Sequence, residues 1–218
     1  MPPKSNRAIE RVFRRALPAW YRRAARDLPW RRTRDPYAIV VSEFMLQQTQ
    51  VARVLEYWPR FLKRYPTIER LARAKRAAVR EAWDGLGYYR RAANLHRLAR
   101  VVVREYDGRV PDDPKELEKL PGVGHYTAGA VACFAYERSA ATVDTNVGRV
   151  LGRVFGVSGE KKLIALHRAL QPRRGTSAWT FNQAVMELGA LVCRARKPRC
   201  EICPVSGACR WYAASRSA

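Results

Sequence analysis

Four of the five cysteines in this chain stand in one short basic stretch, CRARKPRCEICPVSGAC, at Cys193, Cys200, Cys203 and Cys209. The spacing C-x6-C-x2-C-x5-C lets four thiolates converge on one centre. Tetrahedral zinc and a cubane iron–sulfur cluster both accept four sulfurs. Zinc ribbons come as two close pairs, whereas here only Cys200 and Cys203 form such a pair and the outer ligands sit on longer loops. That suits a larger object, so a [4Fe–4S] cluster is expected in preference to zinc. The loop between the first two ligands holds Arg196 and Lys197 among other basic residues. Pinned at both ends, it would form a cationic finger able to lie along phosphates; unpinned, it is a solvated charged loop. Cys133, in VACFAYE, reads as a small buried hydrophobe.

Two carboxylates stand out. Glu43 interrupts the apolar run Ile39 to Leu46. An acid there lies either on a polar face or in the interior. Burial disfavours its ionised form and raises its pKa, which suits a general acid near neutral pH. Asp144 immediately precedes the periodic apolar residues Val147, Val150, Leu151 and Val154, the position of a helix N-cap. Between the two carboxylates lies Pro121-Gly122-Val123-Gly124-His125. Its paired glycines permit a tight turn with exposed amides ahead of a small-residue helix, a site for a phosphate oxygen that needs no charged side chain.

Such residues need a frame, and the frame reads as helical. Val51, Val54, Leu55, Trp58, Phe61 and Leu62 recur at helix spacing, with Pro59 inside the pattern predicting a kink or break. Leu95, Leu98, Ala99, Val102 and Val103 share the face of a second helix. At 113–116, Asp113 is placed to cap a helix, Pro114 to fill its first turn and Glu116 to close a capping box. Strand-like alternation is scarce, and no repeat or long linker separates the segments. A compact all-α protein follows.

The totals narrow the partners. Of 218 residues, 42 are Lys or Arg and 19 are acidic, a formal charge of +23. Such an excess points to a polyanion, nucleic acid before an anionic membrane surface. No apolar run approaches the ~20 residues of a membrane span. The Arg-rich N-terminus could suggest a transit peptide. It carries Glu10 and continues into core-like residues, so it reads as a folded helix of a cytoplasmic, nucleoid-associated protein, where disulfides are not expected.

The cysteine spacing resembles the cluster loop of the endonuclease III and adenine glycosylase (MutY) family of DNA repair enzymes. LPGVGHY resembles its helix-hairpin-helix, and Val143-Asp144-Thr145-Asn146 resembles the end of that signature. SEFMLQQTQV, RDLPWR, DPY, GLGYYRRAANLH and FNQAVMELGALVC extend the likeness over nearly the whole chain. The resemblance implies an all-α, two-lobed helix-hairpin-helix glycosylase fold with an iron–sulfur cluster loop. Residues 27–137 would form a helical-barrel domain with the hairpin, and 1–26 plus 138–218 a cluster domain. A groove between them would hold a nucleotide flipped from mismatched double-stranded DNA. A monomer is expected.

By the same resemblance, Glu43, Asp144 and Tyr126 are catalytic, with Tyr126 lining the pocket and hydrogen-bonding the sugar or Asp144. Arg26, Trp30, Arg31 and Glu187 would line the base. Gln47 and Gln48 would fill the gap left in the stack, Tyr88 would wedge beside the opposite strand, and Gly122, Val123 and Gly124 would hold the backbone. Family members that nick the strand carry a lysine two residues after the second hairpin glycine. Tyr126 stands there and cannot form an imine, so a monofunctional glycosylase is expected. Adenine opposite G or 8-oxoguanine is the expected target. The chain departs from adenine glycosylases in stopping soon after Cys209, where they carry a reader of the oxidised guanine; preference for that partner should be weakened. This short architecture, with VDTN in place of VDGN, is similar to mismatch thymine/uracil glycosylases, the alternative enzyme reading. A non-catalytic DNA-binding module and a redox protein are the readings outside that chemistry.

Overall fold

The structure is a computed structural model and describes residues 5–173 and 175–216. Among these residues it is helical, without strands. The order is α1 (Asn6–Ala24), α2 (Pro36–Leu46), α3 (Val51–Arg64), α4 (Ile68–Arg73), α5 (Arg76–Ala82), α6 (Arg90–Glu105), α7 (Pro114–Glu118), α8 (His125–Tyr136), α9 (Thr145–Phe155), α10 (Glu160–Leu170), α11 (Gly175–Leu191) and α12 (Arg210–Ser215). Single turns of 3-10 helix lie at Pro29–Arg31, Cys200–Ile202 and Ser206–Ala208. The chain divides into two compact units: Asp27–Tyr136, and a second assembled from both chain ends, up to Arg26 and from Glu137 onward. No described helix is long and apolar enough to cross a membrane.

In the Asp27–Tyr136 unit the two central helices are apolar all round, so each is surrounded by protein. Every residue of α2 from Tyr37 to Met45 is buried, as is every residue of α8 from Thr127 to Ala135, Cys133 included. They pack on each other. Ala128, Gly129, Ala130 and Ala132 leave α8 slim enough for close approach. Helix α2 begins where Asp35 accepts the Tyr37 amide at 3.0 Å and Pro36 takes the first position. In α3, Val54, Trp58 and Phe61 face inward, and the helix runs through Pro59 instead of stopping there. Asp113 does cap α7, accepting from the Lys115 amide at 2.8 Å. The expected capping box does not close: Glu116 takes the Lys119 ammonium at 2.6 Å and the Tyr106 hydroxyl at 3.1 Å instead.

In the unit built from the chain ends, the Arg-rich N-terminal stretch is a helix. Ile9, Phe13, Leu17 and Tyr21 recur every four residues of α1 and are buried. They lie along α11, and Phe13 meets Phe155 and Phe181 edge to face at 5.4 and 6.0 Å. Aromatic edges at such distances add to simple area burial. Helix α9 is framed by Asp144 before it and by Gly156 after it. Gly156 adopts φ 68°, a left-handed C-terminal stop that costs glycine no side-chain clash.

Candidate active site and iron–sulfur centre

Glu43 lies in the C-terminal half of α2 and is 5% exposed. Two turns depart from ordinary backbone, one following α2 and the other preceding α6. Gln48 has φ 55° and Tyr88 φ 47°, both in the left-handed region that non-glycine residues seldom occupy. Both side chains are exposed, Tyr88 by 60%. Between the turns sits Arg91, which is 7% exposed. The functional motifs do not single out Arg91, although the sequence carries a signal for it. It shares the inward stripe of α6 with Leu95, Leu98 and Val102, and a cation on a buried stripe must find oxygens. Gln47 reaches the other way, its Nε2 donating to Thr127 Oγ1 on α8 at 3.5 Å, beside the partly buried Tyr126.

The hairpin between α7 and α8 is built as its glycines require. Gly122 has φ 80°, and a Cβ there would stand 2.7 Å from Asn94. Its neighbour Val123 is turned inward: its side chain is buried and its amide donates to Leu120 O at 3.1 Å. The exposed backbone is therefore that of Gly122 and Gly124, while Val123 anchors the turn.

In the other unit, Asp144 caps α9. One carboxylate oxygen accepts the Val147 amide at 2.7 Å and the other accepts from Asn146 Nδ2 at 3.2 Å. Burial raises the Asp144 pKa above the ordinary aspartate value, and these two donors pull it back only in part. Asn146 in turn accepts Arg149 Nη2 at 2.7 Å, and the same guanidinium donates to Cys193 O at 2.7 Å and Gly189 O at 2.8 Å. A continuous hydrogen-bonded path thus joins the Asp144 carboxylate to the backbone of the first cysteine.

Arg26 and Glu187 form a fork. The Arg26 amide and Nε both reach Glu187 Oε1, at 2.9 and 2.7 Å, and Nη2 reaches Oε2 at 3.0 Å. Glu187 is fully buried while Arg26 remains about a third exposed. The hydrogen bond to Glu187 holds the Arg26 pKa above even its usual high value. Trp30 belongs to the Asp27–Tyr136 unit, where it packs edge-on against Trp58 at 6.1 Å. Arg31, beside it, is partly buried.

Cys193, Cys200, Cys203 and Cys209 line one hollow together with Arg153 and apolar residues of α9 and α11. None of the five cysteines is joined in a disulfide. Among the described residues, no three His, Cys, Asp or Glu side chains stand close enough to share a single metal ion. Four sulfurs lining one hollow are the donor set of a four-thiolate centre. Burial pushes the Cys203 thiol up to about 11 and raises Cys200 and Cys209 as well. Thiolates here therefore need the positive charge of a bound metal. Arg153 Nη1 donates to Cys193 Sγ at 3.5 Å and to Arg194 O at 2.7 Å, and its Nη2 to Ala195 O at 3.0 Å. Those bonds fix the root of the exposed loop bearing Arg196 and Lys197, with Lys197 at φ 48°.

A glycine hairpin before a small-residue helix, an aspartate capping the helix that follows, and four cysteines around one hollow define a helix-hairpin-helix protein of the iron–sulfur type. The chain belongs to the HhH-GPD superfamily of base excision DNA repair proteins, whose model matches residues 41–172. Residues 193–209 match the iron–sulfur binding domain of endonuclease III, and the cofactor is accordingly a [4Fe–4S] cluster. The adenine DNA glycosylase of Mycobacterium tuberculosis is 50% identical over 202 residues, covering 89% of this chain and 66% of that protein. That of Mycolicibacterium smegmatis is 51% identical over 203 residues, covering 91% and 69%. The chain thus spans about two thirds of the length of these relatives. A solved structure of a thermostable thymine-DNA glycosylase superposes with a TM-score of 0.90 at 35% identity, over 97% of this chain and 100% of that one.

Proposed function

We propose that this chain is a monofunctional DNA glycosylase that removes mispaired adenine, opposite G or 8-oxoguanine, from double-stranded DNA. The observation that carries the reading is Glu43, a buried carboxyl in a helix whose other residues, Ser42 aside, are largely apolar and buried. A titratable group buried in this way is a functional-site candidate. The named activity of the mycobacterial relatives supplies a task for it.

The target base must leave the stack before its glycosidic bond can be reached. Glu43 then gives its proton to a ring nitrogen of the purine. The electron pair of the bond between sugar C1′ and the base departs with the base, and the sugar becomes oxocarbenium-like. Asp144, as the anion, stabilises that charge, and water adds to leave an abasic site. The division between one acid and one anion is that of glycoside hydrolysis, and fixed charge supplies the largest part of it. Gln47 and Gln48 fill the vacated place, Tyr88 supports the opposite strand, and Tyr126 lines the sugar side. The Arg26–Glu187 fork, Trp30 and Arg31 shape the base pocket. Gly122 and Gly124 take a phosphate, with Val123 bracing them, and Arg196 and Lys197 take others. The cluster, when bound, staples the ends of that basic loop. The helical unit from Asp27 carries Glu43 and the hairpin, and the other unit carries Asp144 and the cluster. The protein acts as a monomer in the cytoplasm, on the nucleoid.

A second reading is favoured by one observation, the thymine-DNA glycosylase that superposes over its whole length. Duplexes containing A·G, A·8-oxoG, T·G, U·G and hypoxanthine mispairs, treated with and without alkali, decide between the two. Alkali-dependent breaks at adenine support the proposal. Breaks at T or U replace it with the second reading, and breaks without alkali refute the monofunctional assignment.

A further inference from the structure

One buried guanidinium ties together the two turns that depart from ordinary backbone. Arg91 Nη1 donates to Met45 O at 2.8 Å and Phe44 O at 3.1 Å, and also to Gln47 O. Its Nη2 donates to Thr49 Oγ1 at 3.0 Å and to Leu86 O and Gly87 O, both at 3.2 Å. Its Cζ lies over the rings of Trp83 and Tyr88, 5.6 and 5.3 Å from their centroids. Trp83 Nε1 donates to the same Gly87 carbonyl at 3.2 Å. No carboxylate takes part in these contacts. The charge is met by carbonyl dipoles, among them those at the C-terminal end of α2, where a helix is partially negative.

This arrangement has a geometric consequence. Left-handed φ at Gln48 and Tyr88 persists only where the surroundings over-determine it. Here the restraint on both comes from the same planar fork, whose Nη donors leave in fixed directions while Nε–H makes no hydrogen bond. Moving one turn relative to the other would break bonds on one edge of the guanidinium. A lysine ammonium, with three donors on one atom, cannot span both turns.

We propose that Arg91 is a positioning residue that makes the Gln48 turn and the Tyr88 turn one rigid element, so that their exposed side chains enter the duplex as a pair. The duplex part rests on the glycosylase reading; the coupling of the turns does not. Two measurements separate them. In the DNA-free protein, hydrogen exchange of the segments 45–50 and 86–89 rises together in Arg91→Lys, by on the order of tenfold, while the hairpin at 119–125 stays unchanged. A rise in one segment only, or in neither, overturns the coupling.

The second measurement is a double-mutant cycle. Gln48→Ala, Tyr88→Ala and the pair are compared for affinity to a mismatched duplex, all carrying Asp144→Asn so that the complex survives. With Arg91 in place the two losses are non-additive by about five- to tenfold; with Arg91→Lys they multiply within about twofold. Additive losses with Arg91, or equal coupling with lysine, overturn the paired entry. If neither alanine variant alters binding to any duplex, paired entry falls with the placement of these side chains in DNA, and hydrogen exchange alone decides whether the turns are coupled. Should Arg91→Lys fail to fold, Thr49→Val removes one acceptor and leaves the guanidinium. It then carries both measurements, with exchange rising in both segments and the non-additivity reduced.

Discussion

Replacing His167 by leucine should flatten the fall in stability between pH 7 and pH 5. His167 lies on α10, fully buried and edge-on to Phe181 of α11 at 5.7 Å. Neither ring nitrogen has a hydrogen-bond partner within ordinary distance. Burial holds the imidazole pKa down at about 4 from its usual 6.5, and the Asn182 side chain offsets this only slightly. The unfolded chain therefore takes up a proton near pH 6.5 that the folded chain refuses until about pH 4. Stability is complete above 6.5 and is lost as pH falls through that window. The loss is about 2 kcal/mol by pH 5 and ~3 kcal/mol by pH 4. Against a total of roughly 5–15 kcal/mol, that share is measurable. Urea unfolding at pH 7, 6 and 5 compares the two proteins. A leucine changes packing by a constant offset, so the diagnostic quantity is the difference in slope. Parallel curves for His167 and His167→Leu would refute the reasoning.

Asp144→Asn should abolish base release, by about 10²-fold or more in single-turnover assays, with little change in thermal midpoint, because asparagine caps a helix as well as aspartate does. A large loss of stability would instead make the cap its main task. Because burial raises the Asp144 pKa and the anion is the active form, excision by the unmutated protein should rise with pH through a value above the ordinary aspartate range; an acid limb at or below that range counts against it. Gly122→Ala should cost about 1–3 kcal/mol, since the residue must keep φ 80° and its Cβ meets Asn94, with weaker duplex binding and unchanged cluster absorbance. Arg196→Ala and Lys197→Ala should each reduce the slope of log affinity against log salt by about 0.9, and an unaltered slope would mean that the loop does not touch phosphate.

Features decided by chain neighbours are legible from the residues alone. Asp113 and Asp144 both cap helices, because a cap needs only an acceptor and an amide two or three positions on. The hairpin glycine takes the backbone angle that its context requires. Glu116 departs from its expected role for the opposite reason: two competing partners, Lys119 and Tyr106, take the carboxylate away from the helix start. Pro59 does not end its helix either, since α3 runs on through it. The roles of Arg149 and Arg153 are not legible at all, and the place of Arg91 on the inward stripe of α6 does not say which oxygens it meets. A guanidinium in a basic chain looks like one more solvated charge until the carbonyls it serves are known.

The order of residues by itself determined where helices begin, where the chain turns sharply, and that four thiols would gather at one centre. Only the tertiary structure decided that Arg26 would clasp Glu187, 161 positions away. It also decided that Arg149 would join the aspartate cap to the first cysteine, and that Arg91 would hold two turns at once. The reason is electrostatic. A buried charge must be satisfied by whichever oxygens the packing leaves unpaired, and which those are depends on segments far apart in the chain.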